Sequence, residues 1–337
     1  MRWIAIAICC AITAPNSDDT GVIEGTVVNG SQANSPLTGA KVVLRASHHG
    51  AWVATAETTT DDQGKFRFEQ VPVARDVIYL PGANHEGIHY PGQRVTIDGR
   101  QPVRTQRVVV YETVAETSPL VAARHEIDIR PEAGALIVTE TMTVKNPSLH
   151  SYVGTDSPDG QATATLRLSI PSEFEKVTFE REFFGRQFQL NKEKLETQIP
   201  WTPGVRELKF TYRLPLEHRH WLFRRPLDLP TEQLRVCVHG GQLEDVTCNL
   251  ASAGTFQGDG VAFESEKTTL PSGHAIELRF GNLPVSWTKR ARWIALAVLV
   301  VLMLAASVLM WRRRGTSSTS SCAESAQQKC REAKRAA

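Results

Sequence analysis

The chain has 337 residues, a formal net charge of +2 from 38 basic and 36 acidic side chains, and 7% aromatic residues. Charge so near balance provides no general attraction to nucleic acid, and no nucleic-acid partner is expected. The length exceeds one ordinary domain.

Met1-Arg2 followed by the apolar stretch Trp3–Ala14 reads as a short secretory signal over residues 1–14, although Pro15 suits a cut at Ala14 poorly. About a dozen apolar residues are too few to span a bilayer. Cys9 and Cys10 lie too close to the start for lipoprotein processing.

Residues 20–114 alternate with period 2 between frequent turns. Strands are expected at Val22–Val28, Val42–Leu44, Trp52–Thr59, Val77–Leu80, Arg94–Ile97 and Val108–Thr113. Another is expected where Phe66 and Phe68 share one face and Lys65, Arg67 and Glu69 the other. Asn29-Gly30 and Asp61–Gly64 supply turns, and Asn29-Gly30-Ser31 also fits a glycosylation sequon. These elements make a small β-sandwich of about seven strands.

Ile23-x-Gly25-x-Val27, Pro36-Leu37-x-Gly39-Ala40-x-Val42, Thr60-Asp61-x-x-Gly64-x-Phe66-x-Phe68 and Val71-Pro72 resemble the carboxypeptidase regulatory-like domain, a transthyretin-like β-sandwich. The likeness covers residues 22–72 well and the remainder to 114 loosely. It rests on turn glycines and core aromatics, so it implies a fold. Nothing in the chain resembles the zinc carboxypeptidase catalytic domain.

His85-Glu86-Gly87-Ile88-His89 matches H-E-x-x-H, in which a helix turns two imidazoles toward one zinc and a glutamate toward its water. Pro81-Gly82 and Pro91-Gly92 bracket the match and Gly87 sits inside it, so too few residues remain for a helix. A surface turn is expected there, as at His48-His49. No metal or other cofactor is assigned.

Residues 121–284 read as a second, larger antiparallel sandwich of nine to eleven strands. Its clearest strand is Val205–Leu214, with Leu208, Phe210, Tyr212 and Leu214 on one face. Similar alternation occurs at Ile127/Ile129, Leu136/Val138/Met142/Val144, Leu166/Leu168/Ile170, Val177/Phe179, Leu234/Val236/Val238 and Ile276/Leu278/Phe280. Cys237 and Cys248 are the pair expected to form a disulfide in an oxidising compartment. A candidate contact loop interleaves basic and aromatic residues at His218, Arg219, His220, Trp221, Arg224 and Arg225.

Trp293–Trp311 runs without a charge between Lys289, Arg290 and Arg292 on one side and Arg312–Arg314 on the other. As a helix it rises roughly 28 Å, about the thickness of the hydrocarbon core. Apolar on all faces and ending in tryptophans, it reads as one transmembrane helix. The basic tail 312–337 also carries Lys329, Arg331, Lys334 and Arg335, which places the C-terminus in the cytoplasm and both sandwiches outside it. Cys322 and Cys330 then lie in the reducing cytoplasm as free thiols.

The expectation is an all-β, single-pass protein of the plasma (inner) membrane, held by lipid contact through its C-terminal helix. It resembles bacterial proteins with an exported regulatory-like domain, a second β domain and a C-terminal anchor, a likeness that implies no activity. A non-enzymatic binding or structural role is expected, toward an envelope or membrane protein, or a polysaccharide. Two alternatives are a membrane-tethered zinc metallopeptidase using His85, Glu86 and His89, and a carbohydrate-binding module presenting Trp52, Trp201 and Trp221.

Overall fold

The structure is a computed structural model. It describes residues 20–316 apart from 49, 75, 133, 155–162, 182–187, 192, 217, 219, 241–245, 257–259, 267, 282 and 284–287. The expected signal and residues 317–337, with Cys322 and Cys330, lie outside the described residues.

The first sandwich contains β1 (Thr20–Asn29), β2 (Ser35–Pro36), β3 (Lys41–His48) and β4 (Ala51–Thr59). It continues with β5 (Lys65–Pro72), β6 (Val77–His85), β7 (Ile88–Pro91) and β8 (Val103–Val110). One sheet pairs β1 with β2, β5 and, in parallel, β8; the other runs β4-β3-β6-β7. Ile23, Val27, Phe66, Phe68 and Val108 from the first sheet meet Val42, Leu44, Tyr79 and Tyr90 from the second in one core. The expected strand Arg94–Ile97 reduces to a single bridge between Val95 and Tyr79, because the chain touches β6 only there.

The turn residues of the first sandwich act through identifiable contacts. Asp61 Oδ1 accepts from Gln63 N at 2.9 Å and Lys65 N at 2.8 Å, and Gly64 follows at φ +71°. Thr60 Oγ1 donates to Leu37 O at 2.6 Å and accepts from Ala40 N at 2.8 Å, tying this turn to the one before β3. Gly25 lies where β1 and β8 come together, and a Cβ there would stand 2.0 Å from Gln106 O.

A short strand, β9 (Thr113–Val114), leads to the second sandwich. There β10 (Val121–Glu132) and β11 (Ala135–Asn146) form a long hairpin, followed by β12 (Ser151–Tyr152), β13 (Leu166–Ser169) and β14 (Lys176–Arg181). Next come β15 (Phe188–Asn191), β16 (Lys194–Thr197), β17 (Gly204–Pro215), β18 (Trp221–Pro226) and β19 (Leu234–Val238). The last strands are β20 (Val246–Cys248), β21 (Ala251–Phe256), β22 (Gly260–Glu264) and β23 (Ala275–Phe280). A seven-stranded sheet, β14-β17-β11-β10-β19-β22-β21, packs against two three-stranded sheets, β13-β16-β15 and β18-β23-β20; β10 and β19 run parallel, which corrects the expectation of a wholly antiparallel sandwich. Their shared core runs from Leu120 to Leu283 in sequence and is separate from that of the first sandwich. More strands form than alternation indicates, because several span only two to five residues.

The single α-helix among the described residues, α1 (Thr288–Thr316), contains the expected span. Its apolar side chains, from Trp293 to Met310, are exposed on every side. Ser307 Oγ donates back to Met303 O at 2.8 Å, so the hydroxyl is satisfied within the helix. Such a surface is stable only in an apolar medium, and the chain is a single-pass, membrane-associated all-β protein.

Candidate functional site

Alternation along β10 sends Ile127 and Ile129 into the core and Glu126 and Asp128 outward. Register then builds rows across the outer face of the large sheet. One reads Lys209, Thr141, Glu126, Arg235, Glu264, and the next Thr211, Thr139, Asp128, Cys237. Two grooves lie on this face and share Arg235. The larger, about 670 Å³, runs between Arg124, Glu232, Arg235, Glu264 and Glu266. The smaller, about 340 Å³, has Cys237 among Glu126, Asp128, Thr139 and Lys209. Arg235 Nε stands 3.3 Å from Glu264 Oε1, and Asp128 accepts from Arg130 Nε at 3.1 Å and His239 Nε2 at 2.9 Å. The face is polar, of mixed sign, and held in register by the sheet beneath it.

The bridge expected between Cys237 and Cys248 does not form; both thiols are free. Val236 and Val238 point into the core, so Cys237 points out of the large sheet, whereas Cys248 on β20 packs against the core from the opposite sheet. Burial pushes both thiols above their ordinary range, which leaves them protonated at neutral pH.

Between the two layers lies a polar network that apolar alternation does not reveal. Glu140 shares the inward face of β11 with Val138 and Met142 and is 0% exposed. Arg225, also 0% exposed, reaches it from β18 on the opposing sheet. Glu140 Oε1 accepts from Arg225 Nε at 2.9 Å and Tyr212 Oη at 2.7 Å. Its Oε2 accepts from His125 Nε2 at 2.9 Å and Arg225 Nη2 at 3.1 Å, while Arg225 Nη1 reaches Asp228 Oδ2 at 2.8 Å. Burial alone would raise the Glu140 pKa, but the Arg225 charge and the His125 hydrogen bond outweigh it and hold the carboxyl well below its usual range. Burial likewise opposes the Arg225 charge, and Glu140 and Asp228 overcome it. Arg225 is therefore a core residue, which corrects its assignment to a contact loop. A charged residue on an otherwise apolar strand face was the available signal.

The rest of that loop is divided. His218 and His220 are exposed, Arg224 is exposed beside Glu277, and Arg219 lies outside the described residues. Trp221 pairs with Phe280, the last residue of β23, and sits edge-on to Phe223. Of the tryptophans considered as sugar platforms, Trp52 is 37% exposed beneath Arg94, while Trp201 is 1% exposed and unable to present a face. Asn29, of the sequon, is also buried, its side-chain Oδ1 accepting from Ser31 N at 3.0 Å.

The H-E-x-x-H match is the tip of the β6–β7 hairpin. Glu86 at φ 46° and Gly87 at φ 78° form a two-residue turn, with His85 opposite Ile88 and Asn84 opposite His89. Neighbouring residues on a strand alternate faces, so His85 and His89 point to opposite sides and do not share a metal. His89 Nδ1 instead meets Asn84 Oδ1 at 2.7 Å. Glu86 Oε2 accepts from Thr113 N at 2.6 Å, which holds its carboxyl below the usual range. Among the described residues, no group of three or more His, Cys, Asp and Glu side chains is placed to hold a metal ion.

Fold and surface together define a class: a membrane-associated chain of two β-sandwiches with a grooved, polar sheet face. No protein-family profile and no curated protein matches it. Among solved structures, the M1 zinc metallopeptidase from Deinococcus radiodurans aligns at 12% identity over 49% of this chain and 43% of its own, with a TM-score of 0.31. Native yeast LTA4 hydrolase aligns at 10% identity over 49% and 30%, also at 0.31. The chain thus spans less than half of either protein, and likeness at this level carries no inference about fold or activity.

Proposed function

We propose that the chain is a non-enzymatic binding module, tethered to the plasma (inner) membrane by α1 and displayed outside the cytoplasm, whose contact face is the outer face of the seven-stranded sheet. The observation that carries this reading is the pair of grooves meeting at Arg235. Their alternating Arg, Glu, Asp and Lys side chains suit the mixed charges of a protein surface better than a sugar ring, which favours an envelope or membrane protein as partner. The basic residues after α1 support a cytoplasmic C-terminus. The first sandwich is proposed as a carboxypeptidase regulatory-like domain on its turn glycines and paired phenylalanines.

Co-purification from membranes in mild detergent tests this reading. The double variant Arg235→Glu/Lys209→Glu reverses charge in the grooves without touching the core. Loss of the co-purifying protein, with the melting transition retained, is the expected outcome. Unchanged recovery of the same partner would remove the sheet face from consideration.

A further inference from the structure

The His85–His89 stretch takes no part in the grooves, yet its turn points at the place where the two sandwiches meet. We propose that it belongs to a clasp that locks the two sandwiches into one stiff body, so that the first stands at a fixed angle on the membrane-tethered second.

The receiving side is the loop between β11 and β12, which is itself braced. Asn146 Nδ2 donates to His150 O at 2.8 Å and Trp201 O at 2.7 Å, and Asn146 Oδ1 accepts from Ser148 N at 3.1 Å. Tyr152 and Trp201 exchange two backbone hydrogen bonds of 2.9 Å. Buried Trp201 therefore serves as the base of a socket.

Separate segments converge on that socket from the other side. Ser31 Oγ donates to Leu149 O at 2.6 Å and accepts from Glu112 N at 2.9 Å. Tyr90 Oη, just past the hairpin turn, lies 2.9 Å from Ser151 Oγ and 2.8 Å from Tyr111 O. Glu86 holds Thr113 N, and β9 pairs in parallel with β12 through Ser151 N to Glu112 O at 2.8 Å and Val153 N to Val114 O at 3.0 Å. Ser151 is 0% exposed. One strand pair alone permits rocking about its own axis. Contacts at Ser31 and Tyr90, from segments far apart in sequence, oppose that rocking. Domains in one chain ordinarily move relative to one another unless such contacts prevent it, and the clasp holds whichever partner the sheet face takes.

Pulsed electron–electron distance measurement on the full chain in nanodiscs tests the clasp, with native cysteines replaced by serine. Spin labels at Thr105→Cys and Thr178→Cys report across the joint, and labels at Thr178→Cys and Glu264→Cys report within the second sandwich. The expected result is an inter-sandwich distribution as narrow as the internal one. It should at least double in width in Ser31→Ala/Glu86→Ala/Tyr90→Phe while the internal pair stays narrow. A glycine-serine insertion between Thr117 and Ser118, added to that triple variant, supplies the loose-joint reference. A wild-type distribution as broad as that reference overturns the proposal, as does a triple variant that folds and remains narrow.

Discussion

Glu140 shows how one residue alters the energetics of a whole layer interface. Removing its charge leaves Arg225 buried without its main counter-ion, and breaking a buried pair this way costs about 3–5 kcal/mol. Glu140→Gln is therefore expected to lower the urea midpoint of the second sandwich by that equivalent at pH 7. The pH dependence has a definite sign. A carboxyl whose folded pKa lies below its unfolded value of about 4.3 stabilises fully above that value and loses this contribution as pH falls through the folded pKa. Wild type should accordingly lose stability more steeply than Glu140→Gln on acidification below about pH 4, measured by unfolding at a series of pH values. The cysteines give a second residue-level expectation. Alkylation of unfolded protein without reductant should label both Cys237 and Cys248, and reductant should leave the unfolding midpoint unchanged. Protection of the pair from label would contradict their placement on opposite sides of the layer.

Among the elements, the β1–β8 pair and the β6–β7 hairpin are the most readily tested. Gly25→Ala places a methyl against the Gln106 carbonyl, where only backbone movement relieves the clash. Overpacking of this kind costs typically 1–3 kcal/mol, so the first sandwich should unfold earlier while the second keeps its own transition. The hairpin shows why a motif requires its element. The five residues of H-E-x-x-H match zinc chemistry on a helix, where positions four apart share a face, and on a two-residue hairpin they do not. Glycines and prolines around the match already argued against a helix. That Glu86 would instead hold Thr113 depends on a residue 27 positions away and was not legible. A chelator is expected to leave both unfolding transitions in place; a shift reversed by added zinc would restore the metal reading.

Seven residues separate Phe280 from α1, at most about 25 Å of extended chain, so the second sandwich stays close to the bilayer. Alkaline carbonate should leave the full chain in the membrane fraction, and deletion of Thr288–Thr316 should release it. Extraction of the full chain would refute the span. If the joint is clasped, lateral position in the membrane also sets where the first sandwich is held.

Local chemistry was enough to determine the all-β character, the two cores and the single apolar helix. Period-2 alternation, turn residues and an unbroken apolar run each act over a few neighbouring residues, and each is written in the order of the chain. Even Gly64 and Asp61 perform the turn functions expected of them within their own segment. The tertiary structure alone decided that Arg225 belongs to the core, that Cys237 and Cys248 face different ways, and that the H-E-x-x-H stretch lies at the joint. Each of these depends on which strand lies opposite which, and register is set by packing and pairing between segments distant in sequence.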